Sequence, residues 1–80
     1  MRRYRLRVRP DSKLASAVVG WDSDERHYVC ELSHADGRTD QRIYRHLREL
    51  IFSMQWVAVL DDMVLRALLK DRARTAGGGR

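Results

Sequence analysis

Cysteine, proline and phenylalanine each occur once in these 80 residues. No apolar run approaches the roughly 18–20 residues that cross a bilayer. The single thiol, Cys30, can close no internal disulfide and build no cysteine-rich zinc site. Glycine is sparse, and three of the five glycines are Gly77 to Gly79 at the end of the chain, so no glycine loop is placed to cradle a phosphate. His34 and Asp36 can pair but have no nucleophile beside them. Cys30 alternates with Tyr28 and Leu32, which reads as a buried, inert thiol. The densest titratable cluster, Asp22, Asp24, Glu25 and His27, lacks the regular ligand loop of a calcium site and reads as a solvated turn. These gaps lead us to expect no enzyme, no cofactor, no metal and no small-molecule substrate. The first residues, MRRYRLRV, alternate polar with apolar and supply no continuous apolar segment of a secretion signal. With a lone thiol, that pattern fits a reducing cytoplasm and no membrane.

Lysine is also scarce, two against fourteen arginines. A GC-rich coding bias explains arginine over lysine, but not where the arginines stand. The formal charge is +5. Five arginines, Arg2, Arg3, Arg5, Arg7 and Arg9, fall in the first nine residues without an acid. Sixteen bases less those five leave eleven, matched by eleven acids, so the rest of the chain is neutral. A neutral body with a basic N-terminal segment suits nucleic acid or an acidic partner.

Residues 3–9 alternate with period two, which predicts a strand with Tyr4, Leu6 and Val8 on one face and four guanidiniums on the other. Pro10 and Asp11 end it. The runs Ala15–Trp21 and His27–Leu32, separated by Asp22-Ser23-Asp24-Glu25, predict a β-hairpin, and Asp36-Gly37 marks a turn in the loop that follows. From about Asp40 the period changes. Ile43, Leu47, Leu50, Ile51 and Met54 form one helical stripe, with Thr39 or Asp40 as its cap and Arg42, Arg45, His46 and Arg48 turned to solvent. A second helix is expected from Asp61 or Asp62 to about Ala73. Between the helices, Gln55 to Leu60 reads as helix, short strand or buried turn, with a break favoured near Trp56. The expected fold is α+β: three mostly antiparallel strands packed against two C-terminal helices, a single domain over residues 1–74 with a disordered tail at 75–80.

An 80-residue chain buries only about 60–65% of its extended surface, so added stability is expected from self-association. The second helix is apolar over most of its circumference, through Met63, Val64, Leu65, Ala67, Leu68 and Leu69. A homodimer through Trp56, Val57, Leu60, Val64, Leu65 and Leu68 would cover it.

The arginine row carries the functional expectation. Alternate residues on a strand stand about 6.5–7 Å apart, near the spacing of phosphates along a nucleic-acid strand. Like charges at that interval repel, and three sources of anion relieve them: phosphates, an acidic protein surface, or the chain's own Glu31, Asp22, Asp24 and Glu25. The first makes Arg3, Arg5, Arg7 and Arg9 phosphate contacts, with Arg2 assisting and Arg42, Arg45 and Arg48 extending the patch. The second makes the chain an interaction or inhibitor module. The third is purely structural, and a charged row also protects an edge strand from aggregation.

The row resembles the basic strand of β-ribbon DNA readers. In the ribbon-helix-helix family that strand leads straight into a helix, whereas here Gly20, Trp21 and a hairpin intervene. The stretch VVGWDSDERHYVCEL, followed by helices ending at Leu68-Leu69-Lys70-Asp71, resembles small uncharacterised bacterial proteins carried on plasmids and other mobile elements, which have a V-x-G-W-D hairpin. That resemblance covers about residues 15–72 and implies a mobile-element setting without an assigned activity.

Overall fold

The N-terminal alternation forms strand β1 (Arg3–Val8) in a computed structural model that describes residues 1–78, of which 75–78 by backbone alone. After a 3-10 turn at Pro10–Ser12 come β2 (Leu14–Asp22), β3 (His27–His34), β4 (Thr39–Tyr44), α1 (Leu47–Met54), β5 (Ala58–Val59) and α2 (Asp62–Gly78). The strands form one antiparallel sheet in the order β4-β3-β2-β1-β5. The class is the expected α+β, but the sheet has five strands and not three. The helices do not form a C-terminal pair either, because β5 lies between them.

The predicted hairpin is β2–β3, paired from Leu14↔His34 to Asp22↔His27. Asp22 organises its turn: one carboxylate oxygen accepts the N–H groups of Asp24 (3.0 Å) and Glu25 (3.2 Å). Such Asx turns explain the acidic cluster without a ligand.

Residues 40–44 are strand, not the start of a helix. Gly37, at a φ of 94°, takes the left-handed turn that only glycine enters at no steric cost. Beyond Arg38, the six residues Thr39–Tyr44 then pair with β3, Tyr28↔Tyr44 through Ser33↔Thr39. Ile43 matched the helical stripe by coincidence of spacing; as a strand residue it sits on the exposed face. Six ladder pairs outweigh one apolar match, so α1 begins only at Leu47. There Glu49 Oε1 accepts the His46 N–H (3.3 Å) while the Glu49 N–H donates to the His46 carbonyl (3.1 Å), which closes the first turn.

The core lies between one face of the sheet and the two helices. It gathers Leu6, Leu14, Ala17, Val19, Trp21, Tyr28, Cys30, Leu32 and Ala58 from the strands, and Leu50, Met54 and Leu68 from the helices. Trp21 and Tyr28 meet edge to face at 4.8 Å between centroids. Helix α2 is pinned where the Tyr4 hydroxyl donates to Asp71 Oδ2 at 2.7 Å, and α1 where the Tyr44 hydroxyl donates to Ser53 Oγ at 2.7 Å. Val64, Leu68 and Asp71, spaced i, i+4, i+7, are the α2 residues turned inward. The helix continues through Gly78; of the expected tail, residues 79–80 lie outside the described residues.

The residues expected to face a second chain are largely used within this one. Leu68 is fully buried, Val57, Leu60 and Val64 pack against the core, and Leu65 is half-buried. Trp56 alone among the six stands exposed. Of the other apolar residues that suggested a dimer, Met63, Leu69 and Val59 remain exposed with Trp56.

One core group has no partner. The Tyr28 hydroxyl is completely buried, with no hydrogen bond among the described residues. A desolvated, unbonded hydroxyl costs about 1–3 kcal/mol. Tyr28→Phe is therefore expected to raise stability by about 1 kcal/mol in urea denaturation; a loss would mean that the hydroxyl is bonded in solution.

Candidate nucleic-acid interface

Register places the arginines on the sheet face that no helix covers. Arg3 pairs with Gly20, which pairs with Val29 and then Ile43; Arg5 pairs with Val18, then Glu31 and Gln41. Arg7 pairs with Val59 on the other side. Directly paired residues share a face, so Arg3, Arg5, Arg7 and Glu31 lie together, while Tyr4 and Leu6 point into the core. Gly20 is required where it stands: a Cβ there would meet the Arg2 carbonyl oxygen at 2.7 Å, so the chain entering β1 crosses directly over it.

The four guanidiniums of the row are not equivalent. Arg3 Nη1 lies 2.8 Å from Glu31 Oε1, with both side chains about half exposed (57% and 43%). An exposed pair of this kind contributes at most about 1 kcal/mol and is exchangeable. Arg9 Nε donates to the Gln55 carbonyl at 2.7 Å and has no carboxylate partner among the described residues. The Arg5 and Arg7 side chains are exposed and have no hydrogen bond or ion pair among the described residues. Of the internal anions considered above, Glu31 is the one that reaches the row.

The other predicted contacts lie elsewhere. The Arg2 guanidinium stands beside Tyr4, on the helix-bearing side. Arg42 pairs with Cys30, which puts it on that side too, on the edge strand three strand spacings (about 14 Å) from β1. Arg45 follows β4 and Arg48 lies in the first turn of α1; both are exposed. The row thus narrows to Arg3, Arg5 and Arg7, with Arg9 at its end.

Near the helices, the hydrogen bond to Asp71 is the main cause that raises the Tyr4 pKa above its ordinary value. Arg72 lies 5.7 Å over the Trp21 ring, and Arg74 lies 3.8 Å from Asp71. The Asp36 carboxyl is held below the usual range, chiefly by the Arg38 backbone N–H that it accepts. His34 Nε2 and Asp40 Oδ2 are 2.7 Å apart on exposed surface. Among the described residues no group of three or more His, Cys, Asp or Glu is placed to hold a metal ion, and no helix is long and apolar enough to cross a membrane.

Burial pushes the Cys30 thiol from 9.0 up to about 12. The folded state thus favours the neutral thiol. Its contribution is complete below the unfolded thiol's pKa and is lost as pH rises from about 9 towards 12, at up to about 1.4 kcal/mol per pH unit. Two results are expected: iodoacetamide labels Cys30 only after denaturation, and Cys30→Ala flattens the fall in stability between about pH 9 and 10. Rapid native labelling at neutral pH would contradict this.

The sequence reading missed the pairing of β5 with β1 and the Arg9–Gln55 bond. Both depend on a two-residue strand, too short to show a period. No protein-family model, no curated protein and no solved structure matches the chain.

Proposed function

We propose that this protein is a non-enzymatic nucleic-acid-binding factor that engages phosphates of DNA or RNA through the open face of its sheet. An accessory or regulatory role in a bacterial mobile element is part of the proposal, and rests on the V-x-G-W-D hairpin resemblance. One observation carries the binding reading. Arg5 and Arg7 stand on an uncovered face without a counter-ion among the described residues, and Arg3 beside them is held by a single exposed carboxylate. Three guanidiniums about 6.5–7 Å apart match a run of phosphates, and displaced counter-ions supply the driving force.

The test is fluorescence anisotropy of labelled single- and double-stranded probes across a salt series. Three phosphate contacts predict a slope of log affinity against log salt of about −2 to −3. No binding of either probe at low salt, or binding indifferent to salt, would remove the reading.

A further inference from the structure

The chain has six aromatic side chains, and the fold disposes of four. Trp21 and Tyr28 are in the core, Tyr4 is bonded to Asp71 and Tyr44 to Ser53. Phe52 and Trp56 remain, 70% and 69% exposed. An exposed indole forgoes the burial that large aromatic side chains usually find, and its place in the fold is specific. The segment that carries it is fastened along the end of the arginine row. The Arg9 N–H donates to the Val57 carbonyl at 2.9 Å, Arg9 Nε donates to the Gln55 carbonyl at 2.7 Å, and Arg7 pairs with Val59. The Gln55 carbonyl belongs to the peptide that enters Trp56, so Arg9 holds the backbone of Trp56 at the point where the row of charges stops. Phe52 lies one helical turn earlier, and the Gln55 side-chain amide donates to its carbonyl at 3.1 Å.

Proteins that bind single strands combine a basic track for the backbone with aromatic rings on which bases stack. Both parts occur here, joined by the bonds from Arg9 to the backbone on either side of Trp56. A duplex can satisfy the track, but its base faces are already stacked on one another and offer nothing to an indole. Building on the phosphate-binding reading above, we propose that Trp56, at the end of the Arg3-Arg5-Arg7 row, is a base-stacking site, and that the ligand is a single-stranded nucleic acid.

The experiment titrates an oligothymidylate of about fifteen nucleotides and a duplex of equal length against the protein at about 50 mM salt. It follows both anisotropy and tryptophan emission. The oligothymidylate is expected to bind at least about tenfold tighter than the duplex and to quench emission. Trp56→Ala is expected to lower affinity for the single strand about tenfold, with duplex affinity and the salt slope unchanged, since no phosphate contact is removed. Trp56→Phe, which leaves only the buried Trp21 to emit, is expected to keep most of the affinity and lose the quench. Equal or tighter duplex binding, or unchanged affinity in Trp56→Ala, overturns the stacking site and leaves the phosphate reading standing. Failure of both probes to bind overturns the phosphate reading and the stacking site with it.

Discussion

Leu68→Asp is expected to leave the chain unfolded at 25 °C, with no cooperative urea transition and a coil-like far-ultraviolet spectrum. Leu68 is fully buried at the centre of the α2 stripe, packed into the core that α2 closes over β2. Emptying such a site to alanine costs about 2–5 kcal/mol. Aspartate adds a carboxylate that must be buried without a partner or protonated, which costs several kcal/mol more. At about 0.05–0.15 kcal/mol per residue, an 80-residue domain holds roughly 4–12 kcal/mol in all. The substitution therefore removes about as much stability as the fold has. Leu69→Asp, one position on and 49% exposed, is the control, with a change within about 0.5 kcal/mol. The comparison separates two roles for the same helix. If Leu68 served an interface between chains, Leu68→Asp would give a folded monomer with native circular dichroism, and that outcome would overturn its place in the core.

What could be read from the sequence follows from how far each element extends. Residues 3–9 alternate over seven positions, six of them β1, and β2–β3 is a long apolar pair, so period alone located them. The α2 start followed from the acidic pair Asp61-Asp62, but its inward residues Val64, Leu68 and Asp71 did not, because a helix apolar over most of its circumference singles out no one face. Thr39–Tyr44 failed because TDQRIY is polar on both faces of an edge strand and so carries no alternation; one apolar residue, Ile43, then attached itself to the stripe of α1. The evidence for that strand was the Asp-Gly turn, which sets register only once its partner strand is known. β5 could not be read because two residues have no period, and its existence depends on the β1 edge that receives it. The same dependence hid the end of the candidate site. That Arg3, Arg5 and Arg7 share a face was visible from spacing; that Glu31 reaches only Arg3, and that Trp56 adjoins Arg9, are consequences of strand order. Equally, Arg42, Arg45 and Arg48 looked continuous with the row because a chain has no sides until its strands are placed.

The double reversal Arg5→Glu with Arg7→Glu is expected to lower nucleic-acid affinity by about a thousandfold at low salt while leaving the fold intact. A guanidinium and a phosphate about 4 Å apart in water attract by about 1 kcal/mol, and a carboxylate in the same place repels by as much. Two such sites change binding by about 4 kcal/mol, close to three orders of magnitude. The loss should shrink as salt rises, because the Debye length falls from about 30 Å at 0.01 M to about 10 Å at 0.1 M. Stability should stay within about 0.5 kcal/mol, since neither side chain is buried or paired among the described residues. Glu31→Gln should act in the opposite direction: it deletes the carboxylate 2.8 Å from Arg3, frees that guanidinium for phosphate and strengthens binding severalfold. A general effect of net charge would give the same gain for Asp24→Asn, in the turn at the end of the β2–β3 hairpin, whereas the geometry of the open face restricts it to Glu31. If Asp24→Asn and Glu31→Gln raise affinity equally, or if the double reversal leaves affinity unchanged, the row is not where phosphates bind.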